Sequence, residues 1–257
     1  MSDYKTSESI VAFIDILGAS QAIEADSEGT LNIVHRVYDE TLSQFQSLFA
    51  ERALSPKVRI FSDNIVIYHI CPENCEKQVF YTIAMMCAIF QEKMLSNGFL
   101  VRGGISKGDF YGDSVLIWGR ALVHAYNLES NIAIYPRIIV APELIRNIEL
   151  FTKPDDPLNS IYSKWLFQDY DGLVYIDYFH DFSCLANPFS IYSFLNDIEM
   201  RIANSSNLKV TQKLLWHRTY LARKLQELLS NSKVKEALEQ VKGDQNTNSL
   251  TESNKGS

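Results

Sequence analysis

With 257 residues, 46% of them apolar, the chain can bury a large core, which predicts one large domain or one domain with an appendage. Its formal net charge of -7 excludes a duplex nucleic-acid-binding surface, which needs a basic stripe. No apolar run approaches the roughly 18 residues of a membrane span, and the polar, acidic start of the chain is unlike a secretory leader. Both features point to a cytoplasmic protein. Cys71, Cys75, Cys87 and Cys184 include one Cys-x-x-x-Cys pair with no second pair to complete a zinc site, and they read as reduced thiols.

Residues 10–15, Ile-Val-Ala-Phe-Ile-Asp, read as a buried strand. Over 30–52, Leu31, Val34, Tyr38, Leu42, Phe45 and Leu48 recur at helical spacing and predict a long amphipathic helix. Residues 58–61 and 65–70 predict two short strands around the turn-prone triplet Ser62-Asp63-Asn64. A strongly apolar helix follows over 75–96, stopped by Asn97-Gly98, and a fourth strand over 99–105. The order β-α-β-β-α-β is the split βαβ arrangement of the ferredoxin-like fold, an α+β core with one antiparallel sheet and two helices on one face. Further strands are expected at 114–118, 137–140 and 173–178, and helices at 119–131, 188–203 and 209–241. The expected organisation is a core domain over 1–145 and an extension over 146–242. The extension is helical with some strand, packed on the core or swapped in a dimer. The polar tail over 243–257 is too poor in apolar residues to order.

Asp15 closes the first apolar strand, and Asp63 sits where the second strand turns into the third. A carboxylate in so apolar a setting is costly unless a cation or hydrogen-bond donors compensate it. The topology makes the first strand and the central hairpin neighbours, so both carboxylates reach one edge. Together they would bind two divalent cations, Mg²⁺ or Mn²⁺, through oxygen ligands. Such a pair is the core of a two-metal phosphoryl- or nucleotidyl-transfer centre. The carbonyl of Ile16 offers a neutral ligand. Gly18, Ala19 and Ser20 are small residues at a helix start, where backbone N–H groups can cradle phosphate.

The ordered set Phe13-x-Asp15-Ile16-x-Gly18, Phe61-Ser62-Asp63, Arg102-Gly103-Gly104-Ile105-Ser106-x-Gly108, Trp118-Gly119 and Ala125-x-x-Leu128-Glu129 resembles the catalytic domain of class III nucleotidyl cyclases over residues 10–140. The resemblance implies a homodimer with active sites at the shared interface, Asp15, Ile16 and Asp63 as metal ligands, and a 3′,5′-cyclic nucleotide product. It also implies Asp15, Asp63 and Arg102 as catalytic residues. Phe13, Ile16, Leu17, Gly18, Ala19, Ser20, Arg59, Phe61, Ser62 and Asn127 would be the nucleotide contacts.

The departures are informative. The family's adenine-reading aspartate falls at Leu116 and its base-reading lysine at Arg59, while its transition-state asparagine and arginine fall at Val123 and Asn127. Leucine cannot accept the adenine amino proton, so ordinary purine selection is absent, and losing the arginine weakens stabilisation of α-phosphate charge. Arg59, Arg102, Lys107 and Arg120 are candidate replacements. With Phe-Ile-Asp-Ile-Leu-Gly at its front and a helical C-terminus, the chain resembles the divergent cyclases of bacterial Pycsar anti-phage systems, which make cyclic UMP or cyclic CMP to switch on a separate effector. The resemblance implies a pyrimidine NTP substrate. UTP is favoured over CTP because arginine donors meet uracil's two carbonyl acceptors.

The five histidines show no metal-ligand spacing. Asp109 and Asp113 flank Phe110-Tyr111-Gly112 in an expected loop, and Arg102 reads either as a strand-end ion-pair partner or as a phosphate contact. Two other readings compete. One is a catalytically silent relative that binds a nucleotide or other ligand as a sensor. The other is a palm-fold polymerase or diguanylate cyclase, disfavoured because acidic residues do not follow Gly103-Gly104.

Overall fold

The structure, a computed structural model, describes residues 4–49, 54–148, 165–179 and 187–230. It divides into two compact units, Met1–Ser183 and Cys184–Ser257. The first is built on β1 (Ser7–Leu17), whose residues Ile10 to Ile14 are all buried. So continuous an apolar run requires cover on both faces of a central strand, and β1 has it. It pairs antiparallel with β3 (Asn64–Ile70) on one side and with β4 (Leu100–Gly112) on the other. With β2 (Lys57–Phe61) outside β3, the order β2-β3-β1-β4 is that of the ferredoxin-like core expected from the element order.

Short α1 (Ala19–Ala25) precedes the amphipathic α2 (Ser27–Phe49), which packs on α3 (Glu76–Ser96). Side chains alternate along a strand. Val11 and Phe13 join Val66, Tyr68 and Phe110 on one face beneath Ala121 and Ala125 of α4 (Arg120–Asn127), leaving Ile10, Ala12 and Ile14 to the α3 face. A π-helical turn, Leu128–Ile132, continues α4 directly. Gly104 lets this helix descend onto β4, because a Cβ there would lie 2.5 Å from the Ala125 carbonyl oxygen and 2.5 Å from Leu128 Cβ.

The strand β4 runs further than the expected 99–105. Asp109, Phe110, Tyr111 and Gly112 are strand residues rather than a loop, because β1 pairs with β4 out to Ser7↔Phe110. Tyr111 and Gly112 then pair with β5 (Ile117–Trp118). The sheet continues through β6 (Ile138–Val140), parallel to β4, then β8 (Val174–Ile176) and the edge strand β7 (Leu166–Gln168). Thus the unit extends past residue 145, which falls inside α5 (Pro142–Asn147). Buried Arg137, 1% exposed, ties the β7–β8 turn to the sheet. It pairs with Asp169 and Asp171 and lies 5.3 and 5.8 Å from the ring centroids of Tyr135 and Tyr175. Burial alone would raise the Asp171 carboxyl, but the Arg137 hydrogen bond, the Leu173 N–H and the Arg137 charge hold it below the usual carboxylate range.

In the second unit Asn187 caps α6 (Pro188–Asn204) by accepting from the Ser190 N–H at 3.0 Å. The helix packs on α7 (Leu208–Ser230). Residues 231–241 of the expected helix, the tail 243–257 and Cys184 lie outside the described residues. Among the described residues no helix is long and apolar enough to cross a membrane.

Arg137→Ala leaves two carboxylates against a buried gap and is expected to cost the first unit about 3–5 kcal/mol, read by urea denaturation. In α7, burial and then the Arg201 charge push the pKa of His217, 1% exposed, down to about 3. The unfolded chain therefore binds the extra proton as pH falls below about 6.5, and the second unit loses stability from there toward pH 3. Going from pH 7.5 to 5 should cost about 2 kcal/mol, and His217→Gln should flatten that dependence.

Candidate functional site

The register aligns Asn64, Asp15 and Arg102 across β3, β1 and β4, so the three side chains share the α4 face. Asp63 stands next to them in the two-residue β2–β3 turn, tied to β1 by the Ile16 N–H, which donates to its carbonyl at 3.1 Å. The Asn64 side-chain amide donates to Asp63 Oδ1 at 3.1 Å. Ser62 has φ +57° in this turn, a left-handed conformation that favours glycine. Both aspartates therefore come to one sheet edge, as the topology predicts.

Arg102 is an ion-pair residue here. Its Nε–H donates to Asp15 Oδ2 at 3.3 Å, and Glu129 Oε1 from the π-helical turn lies 2.6 Å from the same nitrogen. Glu129 is 3% exposed, Asp15 19% and Arg102 23%. A glutamate that deep must be compensated. Glu129 stands in the motif set read from the sequence with no role given to it; the buried arginine-carboxylate pairing shows what it does.

Asp15, Asp63 and Glu129 bring three carboxylates to this edge, two of them within reach of Arg102. Among the described residues, no group of three or more His, Cys, Asp or Glu side chains is arranged to hold a metal. Two carboxylates nonetheless fit Mg²⁺ or Mn²⁺, which commonly take one or two carboxylates and complete their shell from water and substrate phosphates.

The other expected contacts divide. Phe13 lies 6.3 Å from Phe61 and 5.4 Å from Tyr126 between ring centroids, an aromatic cluster beside Asp15; Tyr126 was not singled out from the sequence. Gly18 takes φ +80° and begins α1, so Ala19 and Ser20 carry first-turn N–H groups, but α1 is only seven residues long. Ile16 is buried, and Leu17 ends β1 opposite Leu100. Asn127 is exposed and lines a different cleft of about 490 Å³ with Ser106, Lys107 and His124. Arg59 is engaged by backbone: its Nε and Nη2 donate to the Asp113 carbonyl at 3.0 and 2.5 Å. A hydrogen bond from Tyr111 and the Leu116 and Val115 N–H groups bring the Asp113 carboxyl down to about 2, which organises that loop.

No family model matches the chain. No curated protein matches it either. Among solved structures it is similar to the guanylyl cyclase domain of the RhoGC fusion protein from the aquatic fungus Blastocladiella emersonii. The identity is 16%, covering 68% of this chain and 96% of that one, with a TM-score of 0.48. The guanylate cyclase domain of RhGC from Catenaria anguillulae in complex with GTP is 15% identical, covering 69% and 98%, at 0.44. An adenylate/guanylate cyclase/hydrolase from Silicibacter pomeroyi is 15% identical, covering 67% and 95%, at 0.42.

Arg102→Met should destabilise the first unit by about 2 kcal/mol, a value discounted for partial exposure. Adding Glu129→Gln should recover part of that loss, because the neutral amide tolerates burial without the guanidinium. A double-mutant cycle in urea measures the coupling.

Proposed function

We propose that the chain is a two-metal nucleotidyl cyclase that converts a pyrimidine nucleoside triphosphate to its 3′,5′-cyclic nucleotide and pyrophosphate. The observation that carries this reading is that Asp15 and Asp63 stand on neighbouring strand ends at one edge, joined by the Ile16–Asp63 backbone hydrogen bond. Asp15 and Asp63 would hold the two divalent cations, with the Ile16 carbonyl as a neutral ligand. When bound, these cations supply charge neutralisation for the attacking ribose oxygen and the leaving pyrophosphate. In this reading Asp15 would exchange its contact with Arg102 for a cation, while Arg102 would keep Glu129 as its partner and offer its remaining donors to phosphate. The Phe13–Phe61–Tyr126 cluster offers an apolar wall beside that edge. The preference for UTP over CTP rests on Arg59, whose donors suit uracil's carbonyl oxygens once they leave Asp113.

The reading extends to a homodimer in bacterial anti-phage defence, its messenger acting on a separate effector. Support for the dimer comes from exposed apolar side chains in the hairpin and α4, among them Phe61, Val123 and Tyr126. One observation favours a second reading, a silent nucleotide-binding sensor: Arg102 already holds Asp15, and Val123 and Asn127 stand where the family's transition-state asparagine and arginine would be.

Purified protein incubated with Mn²⁺ and each of the four NTPs separates the two. Chromatography should show cyclic UMP from the wild type and at least about a hundredfold less from Asp63→Ala. Saturable NTP binding with no product in any of the four reactions would establish the sensor instead.

A further inference from the structure

At the opposite end of the sheet lies a cleft of about 260 Å³ whose lining includes Lys5, Ser7, Ser55, Lys57, Tyr68 and Gly112. Along β1, Val11, the partner of Tyr68, lies four residues from Asp15 and Ser7 lies eight, so at about 3.3 Å per residue the cleft extends from roughly 13 to roughly 26 Å from the carboxylate edge. The register explains its composition. Lys57 pairs with Tyr68 and Ser7 with Phe110, so their side chains share the α4 face.

Tyr68 is the informative residue. It is 3% exposed, and its hydroxyl has no hydrogen-bond partner among the described residues. A buried hydroxyl left unmatched carries a desolvation penalty. The hydroxyl sits beside Gly112, where a Cβ would come within 2.8 Å of it. Among the described residues neither Lys5 nor Lys57 pairs with a carboxylate, although acidic residues outnumber basic ones 31 to 24 in the chain. Burial pushes the Tyr68 phenol above its ordinary pKa, with the Arg59 charge opposing and the Asp113 charge adding to the rise. Two lysines, two serines and a tyrosine with an unmatched hydroxyl thus line one small cavity, with Phe110 as an apolar wall whose ring centroid is 4.6 Å from that of Tyr68.

We propose that this cleft binds a small phosphate dianion, either inorganic phosphate or a phosphomonoester whose organic part lies against Phe110. The two lysines balance the dianion's charge, and the Tyr68 and serine hydroxyls donate to its oxygens. The site stands apart from the carboxylate edge and does not depend on the proposed cyclase activity.

Titration of the full chain with inorganic phosphate and with phenyl phosphate, followed by calorimetry and by backbone amide NMR, tests this. One saturable site per chain is expected, with shifts at Lys57, Tyr68 and Gly112. Tyr68→Phe should weaken binding about fivefold, and Lys57→Gln, at an exposed position, about tenfold. Asp63→Ala should bind both probes as the wild type does, so a failed cyclase assay leaves this result standing. Tighter binding of phenyl phosphate assigns the ester, and equal binding the free ion. No saturable binding overturns the proposal. So does a loss on Lys57→Gln with Tyr68→Phe unaffected, which would reduce the site to attraction by surface charge.

Discussion

Arg102 is the charge on which the carboxylate edge depends. One guanidinium in the middle of the sheet reaches Asp15 from the neighbouring strand and Glu129 from the helix above. Removing it would take from two largely buried carboxylates a charge that offsets their desolvation. Asp63 joins the same edge through the Ile16–Asp63 backbone hydrogen bond.

That geometry is set by Gly104, one of four glycines in β4. Gly104 admits the helix to backbone contact, and the π-helical turn that follows brings Glu129 inward to Arg102. π-turns often mark functional sites in helices, and here the wide turn delivers the acid that holds the arginine. A side chain at Gly104 would lift the helix and separate the pair, so the sheet's packing and the site's charge balance share one cause.

The ferredoxin-like core could be read from the sequence because its elements are long and patterned: α2 buries a helical stripe, and β1 is apolar from Ile10 to Ile14. Asp15 and Asp63 were legible as polar residues interrupting apolar strands. Glu129 appeared only as part of a motif, since its role needs the close helix approach that Gly104 permits. The capture of Arg59 by the Asp113 carbonyl left no trace in residue types, because the acceptor is backbone. β7 is too short for any period to register. Tyr68 reads as one more apolar strand position, and its unmatched hydroxyl emerges only once its neighbours are in place.

The position of β1 shapes how the protein must be made. Both of its hydrogen-bonding partners lie downstream, β3 at Asn64–Ile70 and β4 at Leu100–Gly112. At a ribosomal pace of about 5–20 residues per second, the strand waits roughly 5–20 s for its second neighbour. Throughout that interval an uncharged, β-prone stretch, Ile10 to Ile14, is open to pairing with other nascent chains. The centre of the finished sheet is thus the part of the newborn chain most in need of a chaperone.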